Sequence, residues 1–222
     1  MAKDFPARTA PATTTGALLR ALAPLILVQF ACWTGMFLMW IGAYPVITLA
    51  IVPAAPGDPA ALRRPLLALA ACFSWYALLA ALLAFLIPAA LRRLSAPVLL
   101  GLSVLVGALG LASLGWIASP VWLPVSFSAL AVGWAALSNL PYAIAGRLVP
   151  GERLDHAFRL FALSGIAPQI AVSLALVFVI GEIDVATARR IMLAAGAAMA
   201  LGGLGALALA GRLARLRFET DT

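Results

Sequence analysis

Residues 94–146 run for 53 positions without one Asp, Glu, Lys or Arg. Residues 21–57, 65–91, 160–181 and 191–211 are equally free of charge. Runs of this length and character fit one solvent, the hydrocarbon of a bilayer, which a helix crosses in about 20 residues. Composition agrees: 64% of the 222 residues are hydrophobic and 10% are charged, where a soluble domain carries roughly 25% charge. A soluble domain of this size has no interior large enough to hide that much apolar surface. The balance excludes a soluble enzyme, a nucleic-acid-binding domain, a disordered chain and a disulfide-stapled secreted fold.

The longest run divides at Ala118, Ser119 and Pro120, where Trp116 and Trp122 suit the headgroup level. Six transmembrane helices are therefore predicted, over about 22–48, 66–91, 95–117, 122–146, 158–181 and 191–211. The predicted class is an all-α integral membrane protein. A flexible arm is expected over 1–19, the membrane domain over 20–212 and a tail over 213–222. The arm is rich in Ala, Thr and Pro, but the apolar run after it is too long for a signal peptide's core. Barrel strands would alternate polar and apolar residues in segments of roughly ten; these runs are continuously apolar.

Orientation follows from the basic residues. Eleven of the fifteen lie on one side: Lys3, Arg8 and Arg20 in the arm; Arg92 and Arg93; Arg147, Arg153 and Arg159; and Arg212, Arg215 and Arg217. Only Arg63, Arg64, Arg189 and Arg190 lie opposite. The excess predicts both termini in the cytoplasm and a multi-pass protein of the inner (plasma) membrane. The pI near 10.7 thus records topology, with some attraction to anionic lipid, and no nucleic-acid partner is expected.

Catalytic chemistry has no evident seat in this sequence. His156 is the sole histidine and sits in a charged turn. Cys32 and Cys72 fall inside separate spans, giving neither a disulfide framework nor zinc spacing. The serines have no partnering base. No enzyme, metal or cofactor is expected. Apart from Arg159 at the very edge of the fifth, the predicted spans also lack any Asp, Glu, Lys or Arg, whereas proton-coupled carriers keep an ionisable relay in the membrane. In a coupled carrier the carboxylate would come from elsewhere.

Polar and aromatic groups do enter the spans. Gln29, Trp33 and Trp40 stand at i, i+4 and i+11 of the first, close to one helical face. Indole faces stack on the apolar face of a sugar ring and amides bond its hydroxyls; the competing reading is ordinary interhelical packing. Pro45 is expected to kink the end of this helix. In the fourth span Ser138 and Asn139 precede Pro141, with Tyr142 after it. In the fifth, Gln169 follows Pro168 and shares a face with Ser173. Polar groups beside proline breaks are how discontinuous membrane helices line a cavity; a capped structural kink is the alternative. In the sixth, Ala194, Ala198, Gly202, Ala206 and Ala210 recur every four residues, a spacing for close helix approach or for a dimer seam.

Two segments carry a family resemblance. One runs from Phe30 through Trp33 and Trp40 to Pro45. The other joins Gly133, Trp134, Pro141, Tyr142 and Ala143 to Phe161, Pro168, Gln169 and Ile170. In order and spacing, over about residues 25–181, they resemble the seventh, tenth and eleventh spans of the sucrose/proton symporter branch of the major facilitator superfamily, near the glycoside–pentoside–hexuronide carriers. The chain departs from that pattern in three places. Ala162 stands where the family has Asn, Arg159 where it has Gly, and the turn between the eighth and ninth spans is shortened to Arg92 and Arg93.

The resemblance covers only the second six of twelve spans, and the family's coupling acid is expected in the first six. It implies a half-length solute carrier for a sugar or related small polar solute, working as a homodimer or with a second six-span chain. Gln29, Trp33, Trp40, Asn139, Tyr142 and Gln169 are the expected substrate-binding residues. The alternative is a non-transporting membrane subunit or a degenerate carrier fragment.

Overall fold

The computed structural model describes residues 15–54, 59–149, 153–179 and 183–220, and these are helical with no strand among them. The main elements are α1 (Thr15–Pro45), α2 (Arg63–Ala84), the short α3 (Ile87–Ala90), α4 (Ala96–Leu114), α5 (Leu123–Leu148), α6 (Leu154–Val179) and α7 (Val185–Thr220). All except α3 are long and apolar enough to cross a membrane, giving the six spans read from the sequence. The helix begins at Thr15, within the expected arm, and α7 continues to Thr220, within the expected tail. Residues 1–14 and 221–222 of those two segments lie outside the described residues.

Proline chemistry accounts for several boundaries. The second span stops at Ala84 and restarts as α3 with Pro88 in its first turn, because Pro88 has no N–H for the carbonyl of Ala84. Pro45 produces a change of helix type in place of a simple kink. Val46–Ile51 continues α1 as a π-helix, closed by Val52 N–H donating to the Ile47 carbonyl at 2.8 Å. Pro141 and Pro168 differ from expectation: α5 and α6 are each continuous through their proline. Both prolines are buried, so neighbouring helices hold the chain in register where a lone helix would bend.

The spans pack in the spatial order α2, α5, α4, α7, α1, α6, with α1 and α5 also meeting across the middle. Exchanging α1 with α5, α2 with α6 and α4 with α7 maps this neighbour list onto itself. The α2–α5 contact becomes α6–α1, α4–α5 becomes α7–α1, and α4–α7 is unchanged. Successive spans reverse direction, so each helix exchanges with an antiparallel one. The neighbour pattern is that of an inverted repeat of three spans.

α7 is the central wedge between α1 and α4. Lipid tails are as apolar as Leu, so close van der Waals fit, with small residues at the contacts, joins helices here. A Cβ on Gly202 would strike Cys32 of α1, and one on Gly196 would meet the Ala108 carbonyl of α4 at 2.9 Å. Gly202 and Ala206 of the small-residue repeat are thus consumed inside the domain. At the α4–α5 crossing, a Cβ on Gly107 would lie 3.0 Å from the Gly133 Cα, with the Met199 methyl of α7 beside both. Two hydroxyl contacts add to this packing. Ser113 and Ser126 join α4 to α5 at 2.7 Å, and Trp75 donates from α2 to Ser128 of α5 at 2.8 Å.

The two ends of the row are the least covered. Buried residues make up 17% of the α2 window and 24% of the α6 window, against 44–50% for the other four. The edges and the central α1–α5 contact form the environment of the candidate site.

Candidate functional site

The α1–α5 crossing is built from aromatic rings. Trp33, Phe37 and Trp40 follow one another along α1, with Trp33 and Trp40 6.2 Å apart. Trp134 of α5 meets both indoles edge-on, at 5.5 Å from Trp33 and 5.8 Å from Trp40. On its other side Trp134 lies 5.9 Å from Tyr76 of α2, and Phe73 and Phe127 continue the cluster. Edge-to-face pairs of this kind contribute about 0.5–1.5 kcal/mol each beyond burial. The cluster fixes the indoles on a rigid wall.

Polar atoms in and next to this wall have no protein partner among the described residues. Gln29 Oε1, Trp33 Nε1 and the Tyr76 hydroxyl are buried and without a hydrogen bond. Gln29 is only 2% exposed. Leaving such a group unmade costs about 1–3 kcal/mol, so three around one cluster is a substantial penalty for packing alone. Trp33 Nε1 faces α6 at Gly165: a Cβ there would lie 3.7 Å from that nitrogen. The glycine leaves room beside the indole donor.

The α5 and α6 residues extend the wall. Ser138 and Tyr142 follow Trp134 at i+4 and i+8, on one helical face. Tyr142 is exposed and packs edge-on against Phe158 and Phe161 of α6, at 5.7 and 5.3 Å. Asn139 is exposed, and its Nδ2 donates to the Ala135 carbonyl one turn back at 2.7 Å, which leaves its oxygen outward. That bond goes to Ala135, not to the Leu137 carbonyl that Pro141 leaves without its usual donor. Gln169 is exposed one turn beyond Gly165. Ser164, buried, donates to the Phe161 carbonyl.

Each expected site residue therefore has a place. Trp33 and Trp40 share the central cluster. Gln29 is buried one turn from Trp33. Tyr142 continues the Trp134 side of α5, Asn139 stands about 140° around that helix from Trp134, and Gln169 continues the Gly165 face of α6. Trp134, Phe37 and Tyr76 complete the cluster although they were not among the expected binding residues. Trp134 stood in a quoted motif, and its i+4, i+8 spacing to Ser138 and Tyr142 was a usable signal. Tyr76 gave none, since only the packing of α2 on α5 brings it in. Both cysteines are free and buried, and no cluster of metal-ligating side chains occurs among the described residues.

The chain matches no protein-family model, no curated protein and no solved structure.

Proposed function

We propose that this chain forms one six-helix body of a solute carrier for a sugar or related small polar solute, acting as a homodimer or with a second six-helix body. One observation carries the reading. Asn139 and Gln169 expose amide groups within membrane spans, Gln169 one turn from the Gly165 that adjoins Trp33, and Gln29, Trp33 and Tyr76 bury polar atoms that have no partner among the described residues. Lipid satisfies none of these groups. A second body facing this one would close them into a shared cavity, and a polyhydroxylated solute would use them. Indoles of Trp33 and Trp40 stack on the solute's apolar face, while Gln29, Asn139, Gln169 and Tyr142 bond its hydroxyls.

The inverted repeat of three spans supports the same reading. Facilitator halves are built from such repeats, and two halves rock about a site near the midplane. In this proposal both termini are cytoplasmic and the membrane is the inner (plasma) membrane. No step of covalent catalysis is involved.

Two observations favour a second reading, a non-transporting membrane subunit. The predicted spans carry no ionisable relay, and Ala162 replaces the Asn of the carriers it resembles. Native mass spectrometry of the gently extracted chain, followed by uptake of labelled sugars into liposomes, separates the two. A two-body complex that accumulates a sugar is expected. A lone monomer without uptake overturns the carrier reading and leaves the subunit.

A further inference from the structure

α1, α6 and α7 enclose a groove of about 480 Å³ on the side of the domain away from the α4–α5 pair. Phe30 and Thr34 of α1, Ala171 and Ala175 of α6, and Thr187 and Arg190 of α7 mark its extent. It reaches from Arg190, at the edge of the charge-free run, to Thr34, the middle of the Leu18–Ile51 span. On α7 it covers Thr187 to Ala194, about 10 Å at 1.5 Å per residue. That is most of one leaflet's half of a ~30 Å hydrocarbon core.

The polar groups along it are mostly committed. The Thr34 hydroxyl donates to the Phe30 carbonyl at 2.8 Å. Thr187 gives its backbone N–H to Asp184 Oδ1 at 2.7 Å, and its hydroxyl bonds the same carboxylate. Two charges stand at the mouth: the exposed guanidinium of Arg190 and, close enough to feel it, the Asp184 carboxylate whose oxygen already accepts from Thr187. A polar solute would find one cation and an apolar trough, which is a poor match. An amphiphile with one anionic head and an apolar tail matches both ends. Arg190 carries an aliphatic stem long enough to lift its charge to headgroup level, and its planar fork suits phosphate.

We propose that this groove is a binding site for an anionic phospholipid, with the phosphate on Arg190 and one acyl chain lying between α1 and α6. The site lies on the outer side of the α1–α6 contact. It depends on the membrane character of the chain and not on the carrier reading.

The test is native mass spectrometry of the full chain, titrated with phosphatidylglycerol and phosphatidylcholine of identical acyl chains. One basic side chain at the surface gives about a five-fold preference for the anionic lipid. That preference is expected in the wild type and lost in Arg190→Gln. Arg189→Gln, whose backbone faces Gly115 of α4, is expected to keep it. Ala175→Trp fills the trough and should reduce retention of both lipids. Should that variant fail to fold, Ala171→Leu makes the same test with a smaller side chain. Equal retention of the two lipids by the wild type overturns the proposal. So does equal loss in Arg189→Gln and Arg190→Gln, which would mean diffuse charge attraction. A dimer that excludes lipid from this face would show a second copy in the groove and also overturn it.

Discussion

At the scale of single residues, Gln29 separates packing from function. If its buried oxygen serves only the fold, Gln29→Leu is a net gain, since it removes an unmet acceptor worth about 1–3 kcal/mol. We expect Gln29→Leu to unfold at the same or a higher temperature than wild type and to lose sugar uptake. Retained uptake in a stable Gln29→Leu protein would remove the amide from the solute site. Trp134→Phe keeps a ring between α1 and α2 but shortens it, and should raise the half-saturation concentration while leaving the amount of protein in the membrane unchanged. Asn139→Ala and Gln169→Ala should likewise reduce uptake without loss of accumulation, because both side chains are exposed. The pairing of Trp33 with Trp40 was legible from their spacing along one helix. That Trp134 and Tyr76 would join them in one cluster was not, because the periodicity of one span says nothing about which neighbour covers it.

At the scale of elements, the glycines divide into two kinds that can be told apart by experiment. A Cβ on Gly110 would meet the Ser126 carbonyl at 2.5 Å and the Leu130 nitrogen at 2.9 Å, both backbone atoms of α5 that cannot swing aside. Gly211 has nothing within 4 Å. Gly110→Ala should therefore destabilise the domain by about 1–3 kcal/mol, and Gly211→Ala should be neutral or stabilising by up to ~1 kcal/mol, both read by denaturant titration in mixed micelles.

The start of α7 offers a different test. Asp184 caps the helix, and its bonds from the Thr187 hydroxyl and amide hold its carboxyl below the usual range. A lowered carboxylate stabilises the fold above its unfolded value, and the contribution is lost as pH falls through the lowered one. The protection of the Thr187 and Ala188 amides, exchange measured relative to the unprotected rate at the same pH, should hold at neutral pH and fall only under acid conditions. Asp184→Ala should show the faster exchange at every pH. The spans themselves were plain in the sequence because absence of charge is a one-dimensional signal. The continuity of α5 and α6 through Pro141 and Pro168 was not, since it depends on neighbouring helices that hold a proline-bearing segment straight.

At the scale of the molecule, the inverted exchange of α1–α2–α4 with α5–α6–α7 was invisible in sequence. The two triplets share an arrangement of contacts and no evident residue pattern. The proposed carrier carries one expectation about assembly. Epitope tags at both ends should be protected together inside right-side-out vesicles. If the tags fell on opposite sides, an even number of spans would be excluded and the shared-cavity proposal with it.

The wedge position of α7 bears on how the domain is made. α1 and α4 scarcely touch each other; each leans on α7, which follows both of them in the chain. Five helices must therefore wait in the bilayer with their glycine-faced seams open until the sixth arrives. For that interval the nascent chain is a client for whatever insertion machinery shields small-residue surfaces, and ribosomes stalled before residue 185 would hold a chain that quality-control proteases can distinguish from one in which α7 is in place.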